Sequence, residues 1–121
     1  MPRYKTIMIV DDDPDDIELL IDTLLLIDQS YKIIVVHNGL EALEALGLAF
    51  PDAILTDMNM PLMDGRELIN EITSKALSVP VFVMSTSDLG VIDGIALGAA
   101  DGFVKPSSIQ QLIHELRRTI I

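Results

Sequence analysis

Residues 5–25, KTIMIVDDDPDDIELLIDTLL, contain the change of hydrophobic period that decides the fold. Lys5 to Val10 is a short apolar run with β-branched residues, closed by acids, which is the pattern of a parallel strand covered on both faces. Asp13 and Pro14 then supply a cap and a first-turn proline, and Ile17, Leu20, Ile21 and Leu24 recur at helical spacing. A buried strand therefore runs directly into an amphipathic helix, with an acidic corner between them.

The same alternation continues along the chain. Ile33 to Val36, Ala53 to Leu55, Val79 to Met84 and Gly102 to Val104 are further strand-like runs. Asn38, Gly39 and LEALEAL open a second helix, and Asp64 with Glu67 forms a capping-box pattern ahead of Leu68, Ile69 and Ile72. Ser107 with Gln110 repeats that box before the apolar stripe of Ile109, Leu112, Ile113 and Leu116. Asp88 to Leu97 is also expected to be helical, although Gly90 and Gly94 each cost about 1 kcal/mol relative to alanine. With no long linker, repeat or low-complexity tract, the chain is expected to be one α/β domain over residues 1–121, a (βα)5 parallel sheet with helices on both faces.

Composition narrows the function. The 121 residues are 50% hydrophobic, enough for one core, yet no apolar stretch is long enough to span a bilayer. The beginning MPRYKTIMIV lacks the pattern of a cleaved leader, so a cytoplasmic protein without membrane attachment is expected. The absence of cysteine excludes disulfides, thiolate zinc sites and cysteine nucleophiles. A formal net charge of -11 repels phosphate backbones, and Arg117 with Arg118 is the nearest thing to a basic cluster, so direct nucleic-acid binding is not expected.

In an open parallel sheet, ligands bind beyond the C-terminal strand ends, where strand order reverses. The first strand delivers Asp11, Asp12 and Asp13 to that edge, and the third delivers Asp57. Crowded carboxylates need protons or a cation to offset their repulsion, and oxygen-only ligands favour a hard divalent ion such as Mg²⁺. Asp13, before Pro14, reads as a helix cap, and Asp15 and Asp16 read as solvated first-turn charges that complement the helix dipole. The fourth strand brings Ser85 and then Thr86 to the same edge. There a hydroxyl either meets a phosphoryl oxygen or, with Ser87, merely starts a loop and caps the next helix. Lys105, followed by Pro106, ends the fifth strand facing the acids, where it can stabilise a transferred phosphoryl group.

The segments IMIVDDDP, TDMNMPLMDG, VPVFVMSTSD and GAADGFVKP, in this order and with HNGLEAL after the second strand, resemble the signature segments of response-regulator receiver domains over nearly the whole chain. The resemblance implies a flavodoxin-like doubly wound sheet of order 2-1-3-4-5. It implies Asp57 as phosphoryl acceptor and a metal site of Asp11, Asp12, Asp57 and the backbone carbonyl of Asn59, taking Mg²⁺ with Mn²⁺ as a substitute. Ser85 corresponds to the switch hydroxyl, with Thr86 beside it, and Lys105 to the phosphoryl-binding lysine; the peptide between Lys105 and Pro106 is expected to be cis. Met58 and Thr86 correspond to positions that control solvent access and the lifetime of the phosphorylated state.

Two departures stand out. Many members carry an aromatic residue where this chain has Gly102, while Phe103, one position later, points to the opposite face and reads as core. Ser107 replaces a frequent phenylalanine and reads as a cap.

The implied activity is that of a stand-alone signalling switch rather than an enzyme, save for self-phosphorylation from phosphodonors and autodephosphorylation. It belongs to a two-component phosphorelay, with a sensor histidine kinase or histidine phosphotransfer protein as donor and an unknown protein partner downstream. The output face is expected to be helix four, strand five and helix five, where the glycine-spaced helix merely tolerates its glycines, is easily displaced on phosphorylation, or packs in a homodimer. Two other classes compete. One is a Mg²⁺-dependent phosphatase or phosphotransferase of the haloacid dehalogenase type, whose nucleophile follows the first strand; here Asp15 stands where that motif has threonine or valine, and there is no room for a cap domain. The other is a receiver-like scaffold that is never phosphorylated, against which the set Asp11, Asp12, Asp57, Ser85 and Lys105 argues.

Overall fold

The computed structural model describes residues 4–121, so the reading of the first three residues as part of a chain without a leader lies outside it. Five strands alternate with five helices: β1 (Thr6–Val10), α1 (Pro14–Ile27), β2 (Lys32–Val36), α2 (Gly39–Leu48), β3 (Ala53–Asp57), α3 (Gly65–Ser74), β4 (Val81–Ser85), α4 (Asp88–Leu97), β5 (Asp101–Val104) and α5 (Ile109–Thr119). All neighbouring strands are parallel, in the order β2-β1-β3-β4-β5, so the expected flavodoxin-like (βα)5 topology is the one observed.

Because side chains alternate along a strand, each central strand feeds two cores. Ile7 and Ile9 of β1, Leu55 of β3, Phe82 and Met84 of β4 and Phe103 of β5 pack with Leu20, Leu24, Leu112 and Leu116 of α1 and α5. Met8, Val10, Ile54, Val81 and Val83 face the other way, against Ala42 and Leu46 of α2 and Leu68, Ile69 and Ile72 of α3. β3 and β4 are buried along their whole length, which is why Ala53–Leu55 and Val81–Met84 are continuously apolar rather than alternating; polar residues, Thr56, Asp57 and Ser85, enter only at the C-terminal strand ends.

The helix starts follow local chemistry. Asp13 caps α1 by accepting from the Asp15 N–H, with Pro14 at the first helical position; Asn38 caps α2, and Asp64 with Glu67 closes a full capping box on α3. Ser87 caps α4. On α5 the expectation is displaced by one residue: Ser108, not Ser107, accepts from the Gln111 N–H, and Ile109 is already inside the helix. Adjacent serines offer the same oxygen, and the apolar stripe that must face the sheet selects between them.

The three glycines over and beside β4 have a packing reason. A methyl group on Gly94 would meet Val83 at 2.8 Å, one on Gly102 would meet Val83 Cγ2 at 2.5 Å, and one on Gly90 would overlap Ser85 Oγ. Helix α4 therefore lies close against β4 and β5. The glycines face inward, so they are not the surface of a dimer; Leu89 and Ile92, 72% and 59% exposed, lie on the outward side.

Candidate functional site at the strand ends

β1 and β3 are neighbours whose connections leave in opposite directions, α1 leading out to β2 and α3 leading to β4, and the crevice opens at this reversal. Asp11 follows the last residue of β1 and is fully buried, with its backbone N–H donating to the Val36 carbonyl at 3.1 Å. Asp57 is the last residue of β3 and only 6% exposed. Asp12 projects into solvent from the same corner. Asp11, Asp12 and Asp57 each offer a carboxylate oxygen within 4.8 Å of the others.

Lys105, just beyond β5, faces this group. Its Nζ lies 2.7 Å from Asp16, 3.2 Å from Asp57 and 3.5 Å from Asp11. Burial disfavours its charge, but the hydrogen bond to Asp16 and the fields of Asp57 and Asp11 outweigh that, holding the ammonium protonated well above the ordinary lysine range. Asp11 moves in the other sense. Burial, aided by Asp57 and Asp16, pushes its carboxyl up to about 6 against the Asp13 N–H and Lys105, which favour the anion.

Three carboxylates, of Asp16, Asp57 and Asp11, thus share one ammonium with Asp12 close by, and Asp11 is reluctant to ionise beside them. That is the electrostatic signature of a site completed by a cation. The donors are all oxygen, and solvent-exposed Asp12 leaves one side open for water, as a hard divalent ion requires. The residues fit such an ion.

The other expected residues are distributed around this centre. Asn59 is exposed at the crevice, with its N–H donating to Asp57 Oδ1 at 3.3 Å. Ser85 is buried, its Oγ accepting from the Ser87 N–H at 3.2 Å and held against the backbone of Gly90. Thr86 is exposed. Met58 is buried, and with Asn59, Ser85 and Gly90 it lines an open cleft of about 240 Å³. Arg66 of α3 and Asp93 of α4, paired at 2.7 Å, line this cleft as well.

Two expectations are corrected. The Lys105–Pro106 peptide is trans, not cis; trans is the intrinsically preferred isomer by about 0.5–1 kcal/mol, and Lys105 reaches the acids from it. Asp16 is not merely a solvated first-turn charge, because it makes the shortest contact to Lys105. The missing ring at Gly102 agrees with the packing, which leaves no room for one between Val83 of β4 and Val91 of α4. Asp16 was legible only as one acid among several in the DDDPDD stretch; its orientation toward Lys105 needs the packing of α1 beside β5. Phe103, by contrast, is buried in the α1/α5 core as its strand position predicts.

The chain matches the family described as response regulator receiver domain over residues 7–117, and it belongs to that family. It is 36% identical over 120 residues to the response regulator GtcR of Aneurinibacillus migulanus, covering 94% of this chain and 48% of GtcR. Thus the chain spans about half the length of the curated relatives it matches. Its fold superposes on the phosphorylated cyanobacterial phytochrome response regulator RcpA with a TM-score of 0.79 at 30% identity, over 92% of this chain and 87% of that one. The Mn²⁺-bound response regulator Rcp1 gives a TM-score of 0.79 at 27% identity, over 94% and 90% of the two chains. The protein is thus a two-component receiver domain with the acidic pocket and lysine typical of a phosphoacceptor. This membership decides against the haloacid dehalogenase reading.

Proposed function

We propose that Asp57 accepts a phosphoryl group from a phosphohistidine of a sensor kinase or phosphotransfer protein, and that the resulting acyl phosphate switches the partner-binding surface. The observation that carries this reading is the contact between the buried Asp57 carboxylate and Lys105 Nζ, at 3.2 Å, inside the acidic triad. In the transfer, an Asp57 oxygen forms a bond to phosphorus while the phosphorus–nitrogen bond breaks and the imidazole keeps the electron pair, taking up a proton from solvent. Lys105 binds and orients the transferring group by its charge.

Asp11, Asp12, Asp57 and the backbone carbonyl of Asn59 would hold Mg²⁺, with Mn²⁺ as a substitute. That ion supplies neutralisation of the charge that builds up on the transferring oxygens. Ser85 is the hydroxyl that turns toward a phosphoryl oxygen; Thr86 and Met58 border the path of the water that later hydrolyses the acyl phosphate. The state change reads out on α4, β5 and α5, where Leu89, Ile92 and Val104 are exposed, toward a downstream protein or a second copy. Among the described residues no helix is long and apolar enough to cross a membrane, and Arg118 is occupied by Asp101, Glu115 and the Gly102 carbonyl. The family membership and the net charge of -11 support a place in a cytoplasmic phosphorelay without direct nucleic-acid contact.

Incubation with a small phosphoryl donor and Mg²⁺, followed by intact mass measurement, tests the central step. The wild-type chain is expected to gain one phosphoryl group and Asp57→Ala none. No gain in wild type, or an equal gain in Asp57→Ala, sinks the assignment.

A further inference from the structure

The lysine that faces the acceptor is held most tightly by a residue outside the metal triad. Asp16 Oδ2 takes Lys105 Nζ at 2.7 Å, against 3.2 Å for Asp57 and 3.5 Å for Asp11. Asp16 sits in the first turn of α1, three residues after the Asp13 cap, and this places it across the crevice from the end of β5. Its side chain is 35% exposed, while that of Lys105 is 20% exposed. We propose that Asp16 is a positioning residue that holds the Lys105 ammonium back from the phosphoryl site, weakening the phosphorylated state; this rests on the reading of Asp57 as acceptor.

The physical basis is competition for one cation. A phosphoryl group on Asp57 places its charged oxygens beyond the carboxylate it replaces, so Lys105 must reach outward to meet them. Each hydrogen bond it keeps to Asp16 is one fewer for the phosphoryl oxygens, and charge-assisted bonds of this length are the strong ones. Asp16 also adds a negative charge close to an incoming anion. Its partial exposure lets water solvate the carboxylate once the lysine leaves, so the contact is breakable. A receiver built this way relaxes readily, and the setting is tuned by a residue that touches neither the metal triad nor the reacting carboxylate.

The competing account is that the pair only fastens α1 to the end of β5. Beryllofluoride binding in Mg²⁺, measured by calorimetry at fixed ionic strength, separates the two. Asp16→Asn and Asp16→Ser are expected to bind beryllofluoride about tenfold more tightly than wild type, because the lysine is freed and a charge removed. Asp15→Asn removes one charge from the same helix turn without touching Lys105, and should stay within about twofold of wild type. In a Lys105→Met background, adding Asp16→Asn should change affinity no more than Asp15→Asn does.

A purely structural pair lowers the unfolding midpoint in both Asp16 variants and leaves beryllofluoride affinity unchanged or weaker; that result overturns the proposal. Equal tightening by Asp15→Asn overturns it too, since lysine capture would then not be the cause. A wild-type chain that takes up neither beryllofluoride nor a phosphoryl group refutes the acceptor reading itself, a different failure from a wild type that binds with Asp16 variants unaltered.

Discussion

The backbone of Gly90 in α4 lies so close to Ser85 at the end of β4 that any side chain at 90 would collide with the serine hydroxyl. The candidate switch hydroxyl is thus packed beneath the first turns of the helix expected to carry its signal. Gly90→Ala is expected to lower stability by about 1–3 kcal/mol through overpacking, despite the gain of roughly 1 kcal/mol in helix propensity. Gly47, with nothing near its missing side chain, is the internal control, and Gly47→Ala should raise stability by up to about 1 kcal/mol. Urea unfolding measures both. A stabilised Gly90→Ala would rule out the close approach.

Gly102 offers a second test of the same packing. A side chain there meets both Val83 Cγ2 and the Val83 carbonyl oxygen, which is backbone and cannot swing aside. Gly102→Ala is expected to cost about 1–3 kcal/mol, and Gly102→Tyr more, rather than restoring a family-like ring. In a double-mutant cycle, Val83→Ala should recover only part of the loss. Tolerance of tyrosine at 102 with unchanged denaturation midpoint contradicts the structure.

Asp11 makes the metal-free protein sensitive to pH. Burial raises its carboxyl from 3.8 to about 6, so the folded chain binds this proton more tightly than the unfolded chain does. Protonation therefore favours folding: as pH falls from about 6 through 4, this group adds up to about 3 kcal/mol, and the contribution is lost again as pH rises through about 6. With a chelator present, wild type should gain stability relative to Asp11→Asn between pH 7 and pH 5, as followed by denaturant titration. A constant difference across that range would exclude the shift.

Mg²⁺ should stabilise the folded chain, because the triad exists only there. At a concentration 100 times its dissociation constant the gain is about 2.7 kcal/mol by mass action. Thermal unfolding in chelator and in Mg²⁺ reads this directly. Asp12→Asn, at an exposed position, is expected to fold normally and lose most of the Mg²⁺ effect. If its midpoint still rises with Mg²⁺ as far as that of wild type, the triad is not the site.

Much of this protein was determined by local pattern. Continuous apolar runs at β1, β3 and β4, and caps at Asp13, Asn38 and Asp64, follow from burial on two faces and from the hydrogen-bonding needs of helix ends, which adjacent residues satisfy. The placement of Asp11, Asp12, Asp57 and Lys105 at one edge follows as well, because a parallel sheet delivers every strand's end to the same side. What only the tertiary structure decided are relations between residues brought together by packing. Lys105 is 89 positions from Asp16, and no sequence pattern says which acid it reaches first. Gly90 and Gly94 read as costs in helix propensity, and Gly102 as a missing ring. Their reason is steric: α4 can lie this close to Val83 and Ser85 only where no side chain intervenes. Ion-pair choice and helix-to-sheet distance depend on how whole elements settle against one another, so they are written in the three-dimensional packing and not in the period of the chain.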